Sequence, residues 1–139
     1  MSTTTTASVS LRDARRVIEA GEQAALAAGL HVHLVVLDAV GDLIAHARMD
    51  GTWGPDAGAS VEAGLVRHAI DLAVVALGDG ASQYQRYLSV NHRDHRRRTV
   101  VVAAEPLLRN GLLVGSVGIG GLSGDGALTI APTAAKVFP

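Results

Sequence analysis

Two carboxylic acids and an imidazole, Asp50, Glu62 and His68, stand close together in the chain, with Arg48 and Trp53 beside them. In a shared pocket such a set does acid–base chemistry. A carboxylate takes a proton, and His68 or Arg48 steadies the charge that develops. Trp53, alone in a Gly/Pro-rich stretch, would form one wall. Each residue also has a plain structural use: Glu62 favours a helix start, Asp50 caps a turn, and His68 sits beside an apolar helix face. A second group is Asn91-His-Arg-Asp-His-Arg-Arg-Arg98. Its His92, His95 and Arg96 suit phosphate or carboxylate recognition by Arg forks. The alternative is a solvated rim that pairs with acids of another subunit. His92 and His95 are three apart, a spacing that suits one metal ion on a helix, but no third ligand accompanies them and no metal site is assigned.

The run GLLVGSVGIGGLSGD (111–125) puts many glycines on an apolar strand. Gly118, Gly120 and Gly121 either admit a close backbone neighbour or turn N–H groups toward an anionic or carbonyl ligand. No Lys-Ser/Thr follows, so the run is no phosphate loop. His31, His33 and His46 belong to two adjacent strands. In a simple register His33 and His46 share a face; the plain reading is half-exposed sheet surface, and the functional one is that one of the three histidines serves as an acid–base group near neutral pH.

The elements that must position these residues follow from periodicity. Ser10 and Asp13 open a helix over 11–28, with Leu11, Ala14, Ile18, Gly21, Ala25 and Ala28 on one face and Gly29 as its stop. Residues 31–38 and 43–49 read as a hairpin around the turn 39–42. After a loop over 50–59, Ser60 caps a helix whose Val61, Leu65, Ala69, Leu72 and Ala76 share a face. A short helix is expected near Gln83 to Leu88, then a polar loop. Strands follow over 99–104 and 112–119, joined by a turn over 106–110. The last segment, 127–138, is apolar, but Pro132 opposes an unbroken helix. The pattern predicts an α+β fold: an antiparallel sheet of about four to five strands, with helices packed mainly on one face. One domain over 11–139 follows a disordered polar tail over 1–10.

Composition narrows the function. The chain has 139 residues, 48% of them apolar, which suffices for one core. The formal net charge of −1 gives no general attraction for nucleic acid. The absence of Cys removes thiolate metal sites, iron–sulfur clusters and thiol nucleophiles. No apolar run is long enough for a membrane span. The expectation is a cytoplasmic protein with no nucleic-acid or membrane partner.

Three stretches resemble one family. VVLDAVGDLIAHARMDGT (35–52) is similar to the hairpin of the GlcG/HbpS, or heme-degrading-domain, family; SVEAGLVRHA (60–69) resembles its next helix; NGLLVGSVGIGG (110–121) resembles its late glycine-rich strand. The resemblance covers most of 11–125 and implies a sheet covered by helices, assembly into homo-oligomers and, in some members, heme binding. One of His31, His33 and His46 would then be an axial ligand to iron. The chain departs from the family at Arg67-His68-Ala69, where a Lys is usual, at Ala104-Glu-Pro-Leu107, in a longer loop at 52–59, and after Gly121, where the usual uninterrupted helix is missing. The expected function is small-molecule binding of the GlcG/HbpS type, with heme as a candidate ligand. The alternative is a cofactor-independent acid–base enzyme, of lyase, cyclase or condensation type, with a biosynthetic role on a small polar or phosphorylated metabolite. Asp50, Glu62 and His68 would be its catalytic residues. Arg48, Trp53, Gly118, Gly120, Gly121, His92, His95 and Arg96 would bind the ligand in either case.

Overall fold

Helix α1 (Leu11–Ala27) starts where its sequence says it should. The Asp13 N–H donates to Ser10 Oγ at 3.1 Å, and the Ser10 N–H donates back to the Asp13 carboxylate at 3.2 Å. This reciprocal cap satisfies two of the donors that a helix start leaves open. Gly29, at φ +71°, turns the chain out of the helix. The computed structural model describes residues 8–51, 59–79, 84–91, 97–121 and 127–138.

The remaining elements are β1 (Val32–Asp38), β2 (Leu43–Arg48), α2 (Ala59–Asp79), β3 (Tyr84–Asn91), β4 (Arg97–Arg109), β5 (Leu112–Gly121) and α3 (Ala127–Ala135). The five strands form one antiparallel sheet in the order β2-β1-β5-β4-β3. β1 is buried along almost its whole length, as suits a strand covered on both faces, whereas β2 is an exposed edge.

Strand periodicity sorts the core into two layers. Leu34 and Val36 of β1, with Val117 and Ile119 of β5, face α1 and α3 and pack with Val17, Leu107 and Ile130. Val35 and Leu37, with Val102 and Ala104 of β4, face α2 and meet Ala69, Leu72, Ala73 and Ala76. Among the described residues, α1 and α3 thus lie on one face, and α2 covers the other.

This arrangement explains the glycines of β5. A Cβ on Gly118 would overlap the Ala69 carbonyl oxygen of α2, and one on Gly115 would overlap the Leu37 carbonyl of β1. Gly118 therefore lets the backbone of α2 lie on the sheet itself. Beside it, Ser116 is fully buried, and its Oγ has no hydrogen-bond partner among the described residues.

Three expectations change. The segment read as a short helix near Gln83 to Leu88 is strand β3 from Tyr84 on. It pairs with β4 from Tyr84↔Ala104 to Asn91↔Arg97, and this ladder decides a segment of weak local preference. The turn placed over 106–110 shrinks to Asn110-Gly111, at φ 52° and 79°, a two-residue connection between left-handed positions. β4 accordingly runs through Pro106 to Arg109. At the C-terminal end, α3 continues through Pro132. Burial of Ile130, Ala131 and Ala134 against the sheet outweighs the one backbone hydrogen bond that proline cannot make.

Candidate functional site

The open end of the first hairpin, away from its turn, forms a cleft of about 340 Å³ lined by Glu22, Leu26, His31, Arg48, Met49 and Asp50. Glu22 and Leu26 are one turn apart near the end of α1, off its buried stripe. The other four come from the start of β1 and the end of β2. The register His33↔Arg48 carries on past the strands, because the Met49 N–H donates to the Val32 carbonyl at 3.1 Å. This continuation brings His31 and Asp50 to neighbouring places. Leu26, His31, Arg48 and Asp50 are exposed, and Glu22 and Met49 are half-buried. The cleft therefore offers an imidazole, a thioether, a guanidinium, two carboxylates and one apolar wall.

Above it, on the face that α2 covers, His33 Nδ1 and His46 Nε2 lie 2.8 Å apart. The ring planes are within 7° of parallel and the centroids are 5.0 Å apart. That separation is the hydrogen bond plus the two ring radii, so the imidazoles meet edge to edge, nearly in line, rather than face to face. His33 is buried and His46 is exposed. The expectation that these two share a face holds.

At the opposite end of α1, Asp13 takes part in a second polar contact. Arg109 Nη2 lies 3.0 Å from its carboxylate, and the same guanidinium sits 4.5 Å over the Phe138 ring. Burial pushes the Asp13 carboxyl up. The Ser10 backbone N–H and the hydrogen bond and charge of Arg109 outweigh it, and the net shift is downward from 3.8.

Of the residues singled out from sequence, Arg48 and Asp50 meet in the cleft. Gly118, Gly120 and Gly121 are buried on the central strand, opposite Val35, His33 and Val32 of β1. His68 is half-buried on α2, next to the Ala69 carbonyl that lies against Gly118. Glu62 belongs to the first turns of α2. Trp53, His92, His95 and Arg96 lie outside the described residues. Among the described residues no group of three His, Cys, Asp or Glu is placed to hold a metal ion, and no helix is long and apolar enough to cross a membrane. Sequence reasoning missed Glu22, Leu26 and Met49. Its available signal was the Glu22/Leu26 spacing, which sets both residues off the apolar stripe of α1.

Solved proteins share this fold. PduOC, solved as a heme complex, shares the fold with a TM-score of 0.61 at 20% identity, over 92% of this chain and 93% of that one. The Klebsiella pneumoniae protein ORFY gives a TM-score of 0.65 at 16% identity, over 97% and 94%. HbpS gives 0.56 at 21% identity, over 100% and 94%. No curated protein matches the chain. Residues 9–136 match the family described as haem degrading protein HbpS-like, and the chain belongs to that family.

Proposed function

We propose that this protein binds a small molecule in the cleft at the open end of the hairpin, and that the ligand is heme. The supporting observation is the meeting of His31, Met49 and Arg48 in one cleft. Imidazole and thioether are both ligands of heme iron. A guanidinium pairs with carboxylates such as the propionates, and Leu26 offers apolar contact to a macrocycle. A volume of about 340 Å³ is at the small end for a ligand site, so the cleft would hold one part of a porphyrin and leave the rest to solvent. The heme complex of PduOC supports the same reading. Self-association is part of the proposal, supported by Val74 and Val75 standing exposed on the outer side of α2.

Hemin titration of the purified protein tests it. The expected result is a saturable Soret shift, lost in His31→Ala and weakened about tenfold in Arg48→Ala, the scale of one charge-assisted hydrogen bond. A linear, unsaturable response in the unaltered protein overturns the reading.

A second reading is favoured by Glu22, Asp50 and His31 sharing the cleft. It is cofactor-free acid–base chemistry on a small carboxylated or phosphorylated metabolite, with Arg48 on the anion, Asp50 moving the proton, and Glu62 and His68 as further catalytic groups. Asp50→Asn or Glu62→Gln should then abolish turnover and leave the fold intact by circular dichroism. Unchanged rates remove those residues from the mechanism.

A further inference from the structure

We propose that the cleft binds a zwitterion, a small molecule with an amino group and a carboxylate, and that Glu22 anchors the amino group while Arg48 takes the carboxylate. The proposal deepens the small-metabolite reading of the cleft and rests on it.

The charges of the cleft are the starting point. Glu22 and Asp50 are acids, and Arg48 is the one fixed cation among the lining residues. Opposite charges at such close quarters normally pair, as Asp13 does with Arg109 at the other end of α1. Here neither carboxylate makes an ion pair or a side-chain hydrogen bond among the described residues. Glu22 is also half-buried, so it is partly withdrawn from the water that would otherwise satisfy it. The cleft, about 340 Å³ in volume, thus holds its acids and its guanidinium apart. A zwitterion answers both. Its ammonium donates to a carboxylate, and its own carboxylate accepts from the guanidinium fork. Arg48 has five N–H donors, enough to serve its own chain and a ligand together.

The backbone favours the same polarity. Leu26 lines the cleft from the last turn of α1, and no basic residue stands in that turn. A helix C-terminus carries about half a negative charge. The N–H groups of Ala28, Gly29 and Leu30 already donate to the carbonyls of Ala24, Leu26 and Ala25, so this end supplies field rather than a binding atom. That field and the two acids attract a cation, and Arg48 marks where the anion of the ligand sits. A ligand without the amino group leaves Glu22 unanswered, and a second carboxylate in its place meets like charge.

Amide NMR titration of the full chain tests this with glycine, β-alanine, 4-aminobutyrate and 5-aminovalerate, which differ in the span between their charges. Butyrate and butylamine, with one charge each, are the controls. At least one amino acid should bind saturably, with shifts at residues 22–31 and 48–50. It should bind about tenfold more tightly than either control, the scale of one charge-assisted hydrogen bond. Glu22→Gln should bring its affinity down to that of butyrate without weakening butyrate itself, and Arg48→Gln should bring it down to that of butylamine. Amino acids that bind no better than butyrate, or an affinity that Glu22→Gln leaves unchanged, overturn the proposal and keep the small-metabolite reading. The absence of a saturable shift from every one of these probes overturns both.

Discussion

Replacing Gly118 by Ala adds one methyl group at the place where α2 lies on the sheet. That methyl would overlap the Ala69 carbonyl oxygen and come within 2.9 Å of Val35 Cγ2. Overpacking a well-filled core costs about 1–3 kcal/mol. Here one of the colliding groups is helix backbone, which cannot turn away as a side chain can, so the upper end applies. About 3 kcal/mol is a large share of the roughly 5–15 kcal/mol that holds a domain folded. For a chain of this size it lowers the melting temperature by about 10 °C. The matched control is Gly78→Ala. No described residue lies within 4 Å of the new methyl there, and a helical Gly-to-Ala change gains up to about 1 kcal/mol. Scanning calorimetry on the three proteins reads the difference directly. A Gly118→Ala protein that melts within about 2 °C of the unaltered chain refutes the close-approach account of the glycine strand.

Ser116→Ala removes a buried hydroxyl that has no partner among the described residues. An unsatisfied buried group costs about 1–3 kcal/mol, so urea denaturation should show a gain of about 1 kcal/mol; a loss would mean that the hydroxyl is bonded after all. Asp13→Asn breaks the reciprocal cap of α1 and the ion pair to Arg109, and should cost about 1 kcal/mol at neutral pH. The carboxyl is held below 3.8 in the folded chain, so its charge stabilises the fold above that value, and the benefit is lost as pH falls through the lowered folded value. The stability curves of Asp13→Asn and the unaltered protein should therefore converge in strong acid. A gap that stays constant down to about pH 2 refutes the assignment.

Local chemistry made much of the fold legible. Ser10 and Asp13 announced the start of α1, and the β-branched run over 31–38 announced a strand, which the structure buries on both faces. The alternation that put His33 and His46 on one face is borne out by their hydrogen bond. Elements that exist because of a distant partner were hidden. β3 is a strand because thirteen-residue β4 offers it a ladder, and nothing within Tyr84–Asn91 says so strongly. α3 passes Pro132 because its apolar side chains are buried on the sheet, a gain invisible to local propensity. The cleft was half legible for the same reason. Arg48 and Asp50 share a strand end, but Glu22 and Leu26 join them only once α1 has docked.

The order β2-β1-β5-β4-β3 sets a schedule for folding. Its middle strand is the last to be synthesised, so the first hairpin must wait, with one side of β1 open, until the ribosome has released the chain through Gly121. Pairings that span so much sequence close slowly and expose sticky intermediates meanwhile. A nascent chain stalled before β5 would be a natural client for chaperones.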